Sequence, residues 1–229
     1  MAKRARKTPP LSYRILRQLA WIITAVFYRR VDVTGASRLP VDTPAVIACN
    51  HSNALADPVV IWGRLGIIPR FLAASSLWKY PPAKLLLDLA GAVPIHRRSD
   101  GDSGDNRDAF DASTAVLASG EQIAIFPEGH VHREPRTVPL KTGAARIALS
   151  AAADGVQRVT IVPVGMVYAD RGRFRSQAAI HVGRPIQVDE WVDRYRADAV
   201  ATVRAVTEVL TDRLHDVTLN HATWREAMV

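Results

Sequence analysis

Cysteine is almost absent: Cys49 stands alone in 229 residues. No disulfide can form within the chain, and the composition fits a reducing compartment. No apolar run reaches the ~20 residues that a membrane-spanning helix needs. Aromatic side chains make up only 7% of the residues. Few of them interleave with the basic ones, so the stacking pattern of a single-stranded nucleic-acid groove is missing and no nucleic-acid partner is expected. A glycine-rich phosphate loop, a nucleophile-elbow serine and a Cys-His nucleophile pair are lacking as well. Acidic residues are outnumbered, 22 against 30 Lys and Arg, for a formal net charge of +8. A basic balance of this kind calls for a negatively charged partner, here an anionic membrane surface or a phosphorylated substrate.

What is present is a chain long enough for one substantial core, with 48% hydrophobic residues. Apolar runs at 44–49, 70–74, 91–95, 122–126, 159–164 and 178–182 read as strands, and helical spacing fills most of the gaps. Pro163, inside one of these strands, predicts an edge or a bulge. Segment 77–89 is apolar and reads as core ending in a helix. Asp189 is expected to cap one long helix running to about residue 219. The alternation predicts an α/β fold: a single domain, 31–229, with a mixed, largely parallel sheet flanked by helices. In front of it, 1–30 is a basic segment with an apolar helix. Lys3, Arg4, Arg6 and Lys7 precede Pro9-Pro10, residues 15–27 are mostly apolar, and Arg29-Arg30 follow. No small-residue cleavage site supports a signal peptide. The charge–apolar–charge order fits an amphipathic helix lying in a membrane interface; a helix packed on the core is the alternative.

The chemistry centres on Asn50-His51-Ser52-Asn53-Ala54-Leu55-Ala56-Asp57-Pro58, between a strand and a helix. A neutral imidazole can take a proton from a hydroxyl, and a carboxylate on its other nitrogen fixes the tautomer and stabilises the imidazolium. His51 and Asp57 are therefore the candidate dyad, provided that the segment between them turns. The competing reading makes Asp57 an N-cap ahead of a proline in the first helical turn. Three other strand or loop ends carry polar groups: Arg97 with Arg98, Glu128 with Gly129, and Lys141. In an α/β sheet such ends converge on one rim. Arg97 and Lys141 suit a phosphate monoester, and Lys141 also precedes a helix start, where free N–H groups favour an anion. Glu128 can accept from a polyol hydroxyl or brace a cation. His130 and His132, two apart and near Glu134, resemble a metal pair, but no third ligand stands at a suitable spacing and no metal is expected.

Taken in order, Asn50-His51…Asp57-Pro58, Gly91-Ala-Val-Pro-Ile-His-Arg97, Phe126-Pro127-Glu128-Gly129 and Ile161-Val-Pro163-Val164 resemble the four motifs of the glycerolipid acyltransferases, the lysophosphatidic acid and glycerol-3-phosphate acyltransferase family. The resemblance implies that His51 deprotonates the acceptor hydroxyl and Asp57 orients it. Arg97, Glu128 and Gly129 then bind the acceptor and its phosphate. It further implies an acyl thioester donor (acyl-CoA or acyl-carrier protein) as co-substrate with no other cofactor, a phosphorylated glycerol acceptor, and work at the cytoplasmic face of a membrane. Two departures are visible. Five residues separate His51 from Asp57 where four are usual, and His130-Val-His132 replaces a small hydroxyl residue after the third motif. With Pro139-Leu-Lys-Thr-Gly-Ala-Ala-Arg-Ile-Ala148, these resemble the branch of fungal-type glycerol-3-phosphate/dihydroxyacetone-phosphate acyltransferases. A thioesterase or lipid hydrolase using His51 on water, and a non-catalytic anionic-lipid-binding module, remain as alternative readings.

Overall fold

A computed structural model of the chain describes residues 11–40, 42–96, 106–132, 134 and 136–220. The expectations for Lys3 to Lys7, for Pro9-Pro10, for Arg97 and Arg98, and for most of the polar loop after them lie outside the described residues.

The chain opens with helix α1 (Leu11–Phe27), which passes directly into strand β1 (Tyr28–Thr34). Then come β2 (Ala45–Cys49), α2 (Ala56–Arg64), β3 (Arg70–Ala74), α3 (Pro81–Leu89) and β4 (Val93–Ile95). The second half holds α4 (Arg107–Ala118), β5 (Gln122–Ile125), α5 (Gly143–Ala153), β6 (Thr160–Tyr168), β7 (Ser176–Val182), β8 (Ile186–Gln187), α6 (Val192–Ala197) and α7 (Ala199–His215). The strands form one mixed sheet in the order β1-β7-β6-β2-β5-β3-β4, with β8 beside β6. All pairings are parallel except β6 with β7 and with β8. This is the largely parallel α/β layer that the sequence predicts.

Parallel strands covered on both faces read as continuous apolar runs, and every residue of β2 is buried. Two core clusters result, one on each face. Side chains of α4, α5 and α7 fill one, and those of α1 and α2 fill the other. In α7 the spacing of Val203, Val206, Leu210 and Leu214 places one apolar stripe on the sheet.

Four details differ from expectation. Pro163 lies on an interior strand, not an edge: β6 has β2 on one side and β7 and β8 on the other. It is tolerated because it falls between the stretch of β6 that pairs with β8 and the stretch that pairs with β7, where the ladder needs no N–H from it. The expected long C-terminal helix is broken into α6 and α7 at Asp198, whose side chain caps α7 by accepting from the Ala201 amide at 3.0 Å. Asp189 instead accepts from the Arg158 amide at 2.9 Å. Finally, the apolar segment read as core is largely on the surface: Leu77, Leu85, Leu86 and Leu89 are all exposed.

Helix α1 packs on the core along one side and is exposed along the rest. One narrow side packs on α2 through Ala20 and Thr24, and a Cβ on Gly63 would lie 2.8 Å from the Ala20 carbonyl oxygen. The remaining surface leaves Leu11, Ile15, Leu19, Ile23 and Val26 exposed beside Arg14 and Arg17. Among the described residues, no helix is long and apolar enough to cross a membrane.

Candidate active site

The site forms where β2, β5 and β6 end side by side. β2 stops at Cys49, and Asn50 ties the exit to β6: its Oδ1 accepts from the Met166 amide at 2.7 Å and its Nδ2 donates to the Met166 carbonyl at 3.0 Å. The chain then turns through 52–55 before α2 begins, so residues six apart in sequence meet. Nδ1 of His51 lies 2.9 Å from Oδ2 of Asp57. The same oxygen accepts from the amides of Ser52 at 3.0 Å and Asn53 at 2.8 Å. The other oxygen accepts from the Tyr168 hydroxyl at 2.6 Å.

Asp57 is fully buried. Leu55 occupies the N-cap position of α2, so Asp57 sits inside the first turn and folds back over the loop instead of capping. Four donors and the positive end of α2 compensate the carboxylate for its lost water. A carboxylate only accepts, so the His51 proton sits on Nδ1 and Nε2 keeps its lone pair for a substrate. The imidazole stacks flat on Phe126, ring centres 3.9 Å apart and planes 13° from parallel.

Glu128 follows β5 after Phe126 and Pro127 and is turned inward, 1% exposed. Its Oε2 accepts from the backbone N–H of His51 at 2.5 Å. Its Oε1 is 2.9 Å from Nε2 of His132, a close contact whose alignment falls short of a hydrogen bond. Nδ1 of His132 accepts from the Glu134 amide at 3.2 Å, and its backbone N–H donates to the His51 carbonyl at 3.3 Å. Glu128 thus braces the His51 loop from the side opposite Asp57. Gly129 has φ +78°, the left-handed region that favours glycine. The Lys141 side chain crosses over it, with Nζ 2.6 Å from where a Gly129 Cβ would stand. The Lys141 amide donates to the Pro127 carbonyl at 2.7 Å, which sets that side chain beside the start of α5.

The structure therefore brings His51, Asp57, Glu128, Gly129 and Lys141 together, while Arg97 is outside the described residues. Sequence reasoning missed Tyr168. It lies 111 residues from Asp57, at the end of β6, and only the strand order places it there. Burial, followed by the Asp57 charge and hydrogen bond, pushes its phenol far above the ordinary value. Burial and the same charge push the neighbouring Tyr28 phenol up to about 12. Burial, Asp57 and Glu128 also push the Cys49 thiol well up, so it stays protonated and is no nucleophile. A small cleft beside the loop is lined by Ser52, Glu128, His132, Tyr168 and Arg171 among others. The His51 ring does not line it, so it is not where a hydroxyl meets Nε2. Among the described residues, no group of three or more His, Cys, Asp or Glu side chains is arranged to hold a metal ion.

A family model described as Acyltransferase matches residues 30–167, more than half of the chain. Glycerol-3-phosphate O-acyltransferase 2 of Saccharomyces cerevisiae is 36% identical over 127 residues, which cover 55% of this chain and 17% of the yeast protein. The chain therefore spans about a sixth of the length of that relative. A 1-acyl-sn-glycerol-3-phosphate acyltransferase of Bacillus subtilis is 27% identical over 193 residues, covering 82% of this chain and 87% of its own. The crystal structure of the 1-acyl-sn-glycerophosphate (LPA) acyltransferase PlsC of Thermotoga maritima superposes with a TM-score of 0.63 at 18% identity, over 89% of this chain and 78% of that one. At that identity the last match is a likeness of fold.

Proposed function

The chain belongs to the acyltransferase family, and on that premise we propose that it moves a fatty acyl group from a thioester to a hydroxyl of a phosphorylated glycerol. The donor is an acyl-CoA or an acyl-carrier protein, and the acceptor is glycerol 3-phosphate or lysophosphatidic acid. The observation that carries this reading is the His51–Asp57 pair, with Nδ1 engaged at 2.9 Å and Nε2 left for a substrate.

Nε2 takes the proton of the acceptor hydroxyl as its oxygen attacks the thioester carbonyl. The buried Asp57 carboxylate stabilises the imidazolium so formed. When the carbon–sulfur bond breaks, the imidazolium returns the proton to the departing thiolate, and ester and free thiol leave. Lys141, lying across Gly129, supplies a cation for the acceptor phosphate, and Arg97 of the second motif is assigned to the same anion. Glu128 was expected among the acceptor-binding groups. With its carboxylate turned inward, it is better read as the brace of the His51 loop.

The exposed apolar side of α1, flanked by Arg14 and Arg17, supports docking on an anionic membrane surface. We assign the protein to the cytoplasmic face, where an acyl thioester is available.

A thiol-release assay with the acceptor varied, followed by mass identification of the product, tests the reading. Release is expected to require a phosphorylated glycerol and to fall roughly 10²–10⁴-fold in His51→Ala, the usual worth of a positioned general base. Equal release without acceptor means a hydrolase. No release, with salt-sensitive lipid binding that survives His51→Ala, means a binding module.

A further inference from the structure

The carboxylate of Asp57 has two oxygens with different duties. Oδ2 gathers three N–H donors from its own loop, including Nδ1 of His51. Oδ1 is served by the Tyr168 hydroxyl alone among the hydrogen bonds of the described residues, at 2.6 Å. Those three loop donors arise within residues 51–53 and move with the loop. Tyr168 does not: it stands at the end of β6, paired with Ala178 of β7, in a strand that β2 holds on its other side as far as Val164. Its ring also rests near Tyr28, with ring centres 5.8 Å apart.

From this we infer that Tyr168 is a positioning residue of the reaction. It ties the Asp57 carboxylate to the rigid sheet, so that Oδ2 stays aimed at Nδ1 of His51 while the imidazole gains and loses its proton. The assignment rests on the reading of His51 as the base. A hydroxyl donated to a buried carboxylate is a charge-assisted bond, and this one is short enough to fix the orientation of its acceptor. The phenol, pushed far above its ordinary value, remains a donor over the whole working pH range. Nearby Tyr28 offers an internal comparison. It is a buried tyrosine on the same side of the sheet, yet its hydroxyl has no hydrogen-bond partner among the described residues.

Tyr168→Phe keeps the ring and removes only the donor. We expect kcat to fall about 5- to 30-fold, with both KM values within about twofold and the cooperative melting transition retained. Tyr28→Phe, which removes a buried hydroxyl that does not touch Asp57, should leave kcat unchanged. The decisive comparison is a double-mutant cycle. Asparagine at position 57 carries no charge to orient, so Tyr168→Phe added to Asp57→Asn should cost less than about threefold further. A full, multiplied loss in that background, or a loss expressed in KM with kcat intact, overturns the assignment, as does a fully active Tyr168→Phe. Failure of the base reading is distinguishable, because His51→Ala would then be active. Failure of the Tyr168 assignment alone leaves His51→Ala inactive.

Discussion

Asp57→Asn separates charge from geometry in a way that the structure makes calculable. Asparagine keeps one oxygen and gains an NH2 group. Three N–H donors face Oδ2, two of them backbone amides that cannot rotate away. The amide oxygen must therefore take that side, since an NH2 there would meet other donors at 2.8–3.0 Å. The NH2 is left facing the Tyr168 hydroxyl, which can accept as well as donate. His51 then keeps its proton on Nδ1, and only the negative charge is gone. With ~4 Å between charge centres and an effective dielectric near 20, that charge is worth about 4 kcal/mol to a full imidazolium. The transition state carries part of the charge, so kcat should fall by roughly two to three orders of magnitude. This is less than the drop of about 10⁴ in a serine-protease triad, where the same replacement imposes the wrong tautomer. Relief from burying an ion offsets much of the weakened hydrogen bonding, so the protein should still melt cooperatively near the wild-type temperature. The assay is thiol release at saturating donor and acceptor, with thermal unfolding in parallel. A folded variant within tenfold of wild-type kcat refutes a role for the charge. A folded variant down by much more than about 10⁴ refutes the argument that the loop amides hold the tautomer.

Gly63→Ala places a methyl 2.8 Å from the Ala20 carbonyl oxygen and 2.9 Å from Thr24 Oγ1. Overpacking of this kind costs about 1–3 kcal/mol, and each kcal/mol lowers Tm by roughly 2–4 °C in a chain of this size; an unchanged calorimetric Tm contradicts the packing of α1 on α2. Replacing exposed Ile15, Leu19 and Ile23 together by Gln should leave Tm nearly unchanged and reduce cosedimentation with anionic vesicles at least about tenfold, since full burial of one such side chain is worth about 1.5–3 kcal/mol; undiminished cosedimentation removes α1 from the docking face. Stability should also fall in alkali. Tyr28 holds its proton to about 12 in the folded state because of burial and the Asp57 charge, against 10.0 ordinarily. The unfolded chain thus releases that proton first, and the contribution, complete below pH 10, is lost as pH rises through 12. Denaturant titrations between these values should show the decline, and Tyr28→Phe should soften it.

The His51–Asp57 contact was legible because its partners are local: a histidine after a buried strand, a carboxylate six residues on, and a turn between them. The sheet was legible from apolar runs that announce strands covered on both faces. Other features depend on information that no local window holds. The inward turn of Glu128 follows from β5 lying beside β2, which puts its carboxylate under the His51 amide. Tyr168 lies beyond the strand read at 159–164, and nothing local marks it until β6 is known to run on to it beside β2. Pro163 argues for an edge by its missing N–H, and only the gap between β8 and β7 reveals an interior place for it. The leucines of α3 look like core because apolar residues usually are; their exposure is a property of the layer, not of the helix.

The contact between Gly63 and Ala20 has a consequence for kinetics at a surface. Helix α1 meets α2 in close backbone approach at Gly63 and Ala20, and α2 carries Asp57 in its first turn. If α1 holds the protein on a bilayer as proposed, that packing sets the height of the His51 imidazole above the lipid plane, and the imidazole travels in two dimensions with the lipids. Under the proposed reading, with lysophosphatidic acid as the acceptor, turnover should then track its mole fraction among the lipids, so that dilution with inert lipid slows release of thiol even when the total amount in the tube is held constant.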